Sequence, residues 1–443
     1  MKRYLALLLV VLMGVTVISG CTPEVKDPQV YSTIYSGEVT TLNYLVTTTT
    51  NEFGLAANFI DTLIDYDNLG RIQPCLATEW KVSPDGMTWT FKIREGVHWY
   101  THEGKKYAET VAQDWVDALK YILTPENESK SANLAFDVVK NAREYYEGEI
   151  TDFSQVGIKA PDKYTLVYTL EEPIPYFLSM LSYVVFFPVN GEFLAQAGDR
   201  FGTDNTNLLY NGAYILSTFE HQNMRVLSKN QNYWDKKNVF IDELNYQYNA
   251  EAAALAPEMY LRGEITAVSI PSTSIDEWMR DPEKKKMVRP NRPSFYSYFY
   301  AFNFDPKYDK EFDPDNWKVA VNNTNFRKSL FHGLDRIAAQ MTAEPYFPEN
   351  KLNFTITPAG FVDVDGVDFV QIGKLAEHAK TEPFNPDLAV KYRDKAKEEL
   401  AGLATFPVKV VMPYNTSGTE WTQRVQVIEQ QMEKHRRRNP GSR

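Results

Sequence analysis

Leu76-Ala77-Thr78-Glu79-Trp80, followed by Ser83-Pro84-Asp85-Gly86-Met87-Thr88-Trp89-Thr90-Phe91-Lys92-Ile93-Arg94-Glu95-Gly96-Val97-His98-Trp99, is the stretch from which the fold of this chain can be read. Within it Thr88 to Arg94 alternates apolar and polar side chains, the period-two signature of a half-buried strand. Downstream, the apolar residues of Thr110 to Ile122 recur at helical spacing, and Tyr164 to Leu170 alternates again. Strand-like and helix-like segments in turn predict a mixed α/β body. Pro161-Asp162, Pro173 with Pro175, Asn190-Gly191 and Asn211-Gly212 punctuate these segments as turns. Thr47 to Thr50 reads as loop, and the chain shows no internal repeat of fixed period.

With 443 residues, 43% hydrophobic and 14% aromatic, the chain can fill two or more domains with substantial cores, which argues against disorder for its bulk. Its 58 acidic and 47 basic residues leave a net charge of −11, which disfavours nucleic acid or an anionic membrane face as the main partner. At the N-terminus, Lys2 and Arg3 precede an apolar run from Tyr4 to Val17 and then Ile18-Ser19-Gly20-Cys21, the order of a bacterial lipoprotein signal. The apolar run is shorter than the ~20 residues a membrane span needs. Cleavage before Cys21 is therefore expected, with Cys21 acylated and the body held at the extracellular face of the cell membrane. Cys75 is then left without a disulfide partner. Thr22 to Gln29 is polar and proline-containing, as suits a tether.

Catalytic signatures are absent: the chain has no G-x-S-x-G, H-E-x-x-H, phosphate loop or G-x-G-x-x-G. His98 and His102, with Glu103, lie in a turn-like stretch without a third clustered ligand, so surface or packing roles are expected. Asp363, Asp365 and Asp368 around Gly366 lack the glutamate and the glycine offset of a calcium loop and read as a solvated acidic loop. Cys75, in a Pro-Cys-Leu-Ala run without a neighbouring base, reads as a small core residue. No metal, cofactor or catalytic residue is expected. The aromatic run Phe295-Tyr296-Ser297-Tyr298-Phe299-Tyr300-Ala301-Phe302-Asn303-Phe304 predicts a long strand, either central and buried on both sides or lining a ligand cleft. Residue chemistry alone stops at a two-domain α/β binder or enzyme.

The opening stretch resembles the signature block of the family 5 extracellular solute-binding proteins. The likeness continues through Thr110-Val111-Ala112-Gln113-Asp114-Trp115-Val116, Gly157-Ile158-Lys159-Ala160-Pro161-Asp162 with Tyr164-Thr165-Leu166, Asn211-Gly212-Ala213-Tyr214, and Asn230-Gln231-Asn232-Tyr233-Trp234-Asp235. Asn325-Phe326-Arg327-Lys328-Ser329-Leu330 with Leu334-Asp335-Arg336 extends it. Trp99-Tyr100-Thr101, Phe187-Pro188-Val189-Asn190 and Leu209-Tyr210-Asn211-Gly212 are similar to the oligopeptide-binding lipoproteins of the Opp, Ami and Ali type of Gram-positive bacteria. The resemblance runs from about Tyr35 to about Lys434. It implies a bilobed, periplasmic-binding-protein-like α/β fold of type II with an extra inserted domain. Residues 1–20 would be the signal peptide and 21–30 the tether. Residues 31–62 and 185–288 would form the core of the first lobe, 63–184 the inserted domain and 289–434 the second lobe.

By the same resemblance, the chain would capture an oligopeptide and deliver it to the permease subunits of an ABC transporter, as a monomer. An extended peptide would be held through its main chain, as in strand addition, with its side chains in roomy hydrated pockets. Position in the motifs points to Glu38, Val39 and Thr40, within Ser36 to Thr40, as one edge meeting the ligand backbone. It points to Asn211, Gly212 and Tyr214 as a loop near the cleft, and to Phe302 and Asn303 as cleft wall. Relatives continue past Phe406-Pro407-Val408-Lys409-Val410 and the helical Gln423 to Glu433, whereas residues 435–443 are a basic tail foreign to the family. The expectation is a fold incomplete at its C-terminus, without the aspartate that pairs with the peptide's amino group in relatives. Two other classes stay open: a binder of nickel, haem or an oligosaccharide, and a secreted hydrolase. The first demands converging ligands or flat exposed aromatics, the second a nucleophile or carboxylate pair within hydrogen-bond reach.

Overall fold

The computed structural model describes residues 28–68, 70–290, 297–364, 366–414 and 419–437. Cys21 with the whole signal and most of the tether lies outside the described residues, as do Phe295, Tyr296, Asp365 and the tail from Arg438. The described residues fall into two compact units, one ending at Ser269 and one starting at Ile270.

In chain order the first unit contains β1 (Val30–Tyr35), helix α1 (Thr50–Ala56), β2 (Ile64–Tyr66), β3 (Ile72–Pro74), β4 (Ala77–Val82), β5 (Thr88–Ile93), β6 (His98–Tyr100), β7 (Lys106–Glu109) and helix α2 (Gln113–Leu123). Then come β8 (Ile158–Asp162), β9 (Thr165–Thr169), β10 (Tyr214–Glu220), β11 (Met224–Lys229) and β12 (Glu243–Tyr248). They build two four-stranded sheets, ordered β1-β12-β11-β10 and β4-β5-β9-β8, and two separate hairpins, β2-β3 and β6-β7. β1 pairs with β12 in parallel, and the other pairs are antiparallel.

The alternation expected of Thr88 to Arg94 is realised as β5, where Trp89, Phe91 and Ile93 are buried while Lys92 faces solvent. β9 answers it in register, with Trp89 opposite Tyr168 and Phe91 opposite Leu166. Cross-strand pairs of this kind are the unit of sheet stability. Phe177 lies against this face with its ring centroid 5.4 Å from those of Trp89 and Tyr168 and 5.7 Å from that of Phe186. α2 carries Trp115, Ala118, Leu119, Ile122 and Leu123 inward, at offsets of three, four, seven and eight residues that trace one helical face. Of the expected turns, Pro161-Asp162 leads into the β8-β9 turn, where Asp162 Oδ1 accepts the Tyr164 amide at 2.9 Å, whereas Asn190-Gly191 starts a helix: Asn190 Oδ1 caps Gly191–Ala197 by accepting the Phe193 amide at 3.0 Å. His98 belongs to β6, paired with Glu109, and not to a turn.

The second unit is mainly helical. Its core of Trp317, Ala320, Val321, Phe326, Ala396 and Leu400 joins α3 (Pro314–Asn322), α4 (Thr324–Gly333) and α5 (Pro386–Glu399), and α6 (Thr419–Arg437) follows. The strand expected over Phe295 to Phe304 does not form in its described part, 297–304, where Tyr298 is 82% and Phe299 67% exposed. Alternation assigns side chains to two faces only after a neighbouring strand supplies a ladder, and no described segment pairs with this one.

Candidate functional site

The expected ligand edge follows directly on β1. Beyond Tyr35 the chain leaves the sheet and runs as an irregular strip, Ser36 to Thr40, held from two sides. On one side the first turn of α1 grips it. Glu52 Oε1 accepts both the backbone N–H and the hydroxyl of Thr40, each at 2.9 Å, and Asn51 Nδ2 donates to the Glu38 carbonyl at 3.4 Å. Gly37 permits this approach, because a Cβ there would stand 2.8 Å from Asn51 Nδ2. On the other side the β10-β11 hairpin holds the Glu38 carboxylate. Arg225 of β11 forms an ion pair with Oε1, the Gln222 amide donates to Oε2 at 2.8 Å, and the Val39 amide donates to Oε1 at 2.8 Å.

Arg225 is buried, with its guanidinium 4.0 Å from the Tyr35 ring centroid and 5.8 Å from that of Phe219. Stacking on these rings and pairing with Glu38 together hold the cation inside the unit. Val39 is fully enclosed in the hydrophobic core and pins the strip. Gly37 and Thr40 are exposed. Among the described residues, the N–H and C=O of Gly37, the N–H of Glu38 and the C=O of Thr40 have no hydrogen-bond partner. The result is a short length of immobilised main chain with unspent donors and acceptors.

Asn211, Gly212 and Tyr214 form a separate, interior group. Asn211 Oδ1 accepts the Asp61 amide at 2.9 Å, and the amides of Asn211 and Gly212 both donate to the Phe59 carbonyl. A Cβ on Gly212 would sit 2.7 Å from the Phe59 carbonyl carbon, so only glycine fits. The Tyr214 hydroxyl donates to the Ile241 carbonyl at 3.0 Å. Among the described residues no hydrogen bond joins this group to the strip. Phe302 and Asn303 belong to the second unit. Phe302 packs on its core, and the Asn303 carbonyl accepts Trp317 Nε1–H at 2.8 Å.

Asp61, Cys75 and Asp114, titratable groups of the first unit's interior, are engaged in structure. Burial pushes the Asp61 carboxyl up to about 6 although Trp234 Nε1–H donates to it at 2.8 Å. Burial, aided by the charges of Asp61 and Asp65, drives the Cys75 thiol well above its ordinary value, which makes it a poor nucleophile. Asp114 is 3% exposed and accepts Trp99 Nε1–H at 2.8 Å and the Val111 amide at 3.0 Å, yet burial still raises its carboxyl to about 7. Among the described residues no three His, Cys, Asp or Glu side chains gather as a metal site, and no helix is long and apolar enough to cross a membrane. The acidic stretch expected as a loop is partly a short hairpin, in which Asp368 pairs with Asp363 and its carboxylate accepts the amides of Gly360 at 2.9 Å and Val370 at 3.2 Å.

Glu52, Asn51 and Arg225 were not singled out from sequence. Arg225 leaves one trace there, a cation at an inward position of an otherwise alternating strand whose register carries Leu227 into the core. Glu52 leaves none, because its partner Thr40 is chosen by a loop.

Residues 71–435 match the model of the bacterial extracellular solute-binding proteins, family 5. The chain is 32% identical to the oligopeptide-binding protein AliB of Streptococcus pneumoniae, over 98% of this chain and 70% of that protein. It is 31% identical to the oligopeptide-binding protein SarA of Streptococcus gordonii, over 97% of this chain and 70% of that one. In fold it is similar to Listeria monocytogenes OppA bound to peptide, with a TM-score of 0.67 at 20% identity, covering 93% of this chain and 75% of the other.

Proposed function

The chain belongs to the bacterial extracellular solute-binding proteins of family 5, and from that premise we propose that it captures oligopeptides outside the cell and hands them to the permease of an ABC importer. The observation that carries the reading is the clamped strip Gly37 to Thr40, whose free main-chain groups match what every peptide offers regardless of sequence. The names of the relatives at 31–32% identity, oligopeptide-binding proteins, point the same way. In this reading the backbone of Glu38, Val39 and Thr40 meets the ligand, with Asn211, Gly212 and Tyr214 as further candidates in the first unit and Phe302 and Asn303 as candidates in the second. The first lobe would comprise residues 31–62 and 185–288 around an inserted domain of 63–184, and the second lobe 289–434. No catalytic role is assigned to any residue.

The test is a thermal-shift and calorimetric screen of the chain lacking residues 1–21 against peptides of graded length, with nickel and oligosaccharides as alternatives. A ligand of the native state raises its melting temperature by mass action, by roughly 2.7 kcal/mol of stabilisation at a hundredfold excess over Kd. Shifts confined to peptides support the reading, and a shift with nickel or a glycan alone replaces it.

The proposed anchor is Cys21, at the end of the charged and apolar leader, which would hold the protein, proposed to be a monomer by its resemblance to the family, at the outer face of the membrane. Metabolic labelling with an alkynyl fatty acid is expected to mark the wild type and retain it with membranes, while Cys21→Ser is unlabelled and released. Label persisting on the variant would move the acyl chain elsewhere, and Cys75 is the other cysteine available.

A further inference from the structure

We infer that Glu52 is the positioning residue of the ligand-facing strip, an inference that rests on the peptide-binding reading above. Glu52 is 4% exposed, and no ion pair involving it occurs among the described residues. Its Oε1 holds the Thr40 amide and hydroxyl, and its Oε2 is enclosed without any hydrogen-bond partner. A carboxylate enclosed with so few donors is unfavourable for the fold by itself. Its bonds go to one residue, Thr40, which is itself exposed. Such an arrangement stabilises little core, but it fixes the direction in which a surface residue presents its main chain.

The geometry explains how. Between Tyr35 and Leu42 the chain belongs to no sheet or helix, so regular structure does not order it. The Glu38 side chain is fixed by Arg225 and the Gln222 amide, which sets one end of the strip. Beyond the buried Val39, Glu52 makes the hydrogen bonds that hold the other end, since among the described residues the Thr40 carbonyl has no partner and the next main-chain bond is Leu42 N–H to the Gly202 carbonyl at 2.9 Å. With its N–H and Oγ–H turned toward α1, Thr40 has its C=O left free for a ligand donor. A strip lacking this hold must be ordered when the ligand binds, and that cost is subtracted from affinity for every peptide alike.

The experiment is calorimetric titration of the chain lacking residues 1–21 with tri- to pentapeptides built from alanine, lysine and leucine, combined with hydrogen exchange of the free protein. Glu52→Ala is expected to raise Kd at least tenfold for all sequences and to accelerate exchange in residues 36–41 while the β10-β11-β12 amides stay protected. Glu52→Gln, which keeps an amide oxygen for both Thr40 donors, is expected to recover most of that loss. Thr40→Ala removes only the hydroxyl bond at an exposed position and is expected to raise Kd about threefold, so the inference is testable even where Glu52→Ala folds poorly. A lowered melting temperature with Kd unchanged in both Glu52→Ala and Thr40→Ala would make Glu52 a stability residue and overturn the inference. Absence of peptide binding by the wild type would instead overturn the reading on which it rests.

Discussion

Arg225→Ala is expected to destabilise the first unit by about 3 kcal/mol, the lower end of the range for removing one partner of a buried ion pair. The lower end applies because Glu38 retains 23% side-chain exposure and can recruit water once its cation is gone. Two further losses accompany the charge: the guanidinium no longer covers the Tyr35 and Phe219 rings, and the Gln222 and Val39 amides must hold the Glu38 carboxylate unaided. Arg225→Met together with Glu38→Gln should recover much of the stability, since replacing both members of a buried pair by neutral groups of similar volume is far milder than orphaning one. Urea unfolding at constant m reads the stability directly. Peptide affinity is expected to fall in Arg225→Ala and to stay low in the double variant, because the carboxylate that fixes the strip is absent there. Equal stability loss in the single and double variants would mean that packing, not charge, is what Arg225 contributes.

Asp114→Asn is expected to change the pH dependence of stability by a comparable amount, with the opposite sense at neutral pH. Burial raises the folded-state carboxyl to about 7 from an ordinary 3.8, so the folded protein binds a proton that the unfolded chain has already released. Stability from this group is therefore complete below about pH 4, declines as pH rises toward 7 and is flat above it. From pH 5 to pH 8 the loss is about 2.5–3 kcal/mol at 1.36 kcal/mol per pH unit. Asparagine can still accept from Trp99 Nε1–H and the Val111 amide, but it introduces a buried amide donor whose cost is about 1–3 kcal/mol. The variant should thus be no more stable than wild type at pH 5 and equal or superior at pH 8, with a shallower pH profile between. Asp61, raised to about 6, contributes a slope of the same sign in both proteins and cancels in the comparison. A wild-type profile that is already flat from pH 5 to 8 would show that Asp114 stays ionised in the core.

Much of the first unit was legible because its signals are local. Trp89, Phe91 and Ile93 lie two residues apart, and Trp115, Ala118, Leu119 and Ile122 lie three and four apart, so strand and helix periods appear in the order of residues without reference to any partner. The same holds for Cys75, whose apolar neighbours already placed it in the core. The motif block from Leu76 to Trp99 extended this to the family, and the resemblance with it to Glu38, Val39 and Thr40 as the expected ligand edge.

The tertiary structure decided the rest, for one physical reason: hydrogen bonds and ion pairs between distant segments depend on how the chain returns. Arg225 lies 187 residues from Glu38 and reaches it only because β11 turns its inward face toward the end of β1. Glu52 is 12 residues from Thr40, across a loop whose course no period encodes. The aromatic run ending at Phe304 makes the same point from the other direction, since its alternation is as regular as that of β5, but β5 has β4 and β9 beside it, whereas among the described residues no strand lies beside 297–304. Sequence by itself determined the elements of the first unit and the family; the fold alone determined which side chains hold the strip of main chain that a peptide would meet.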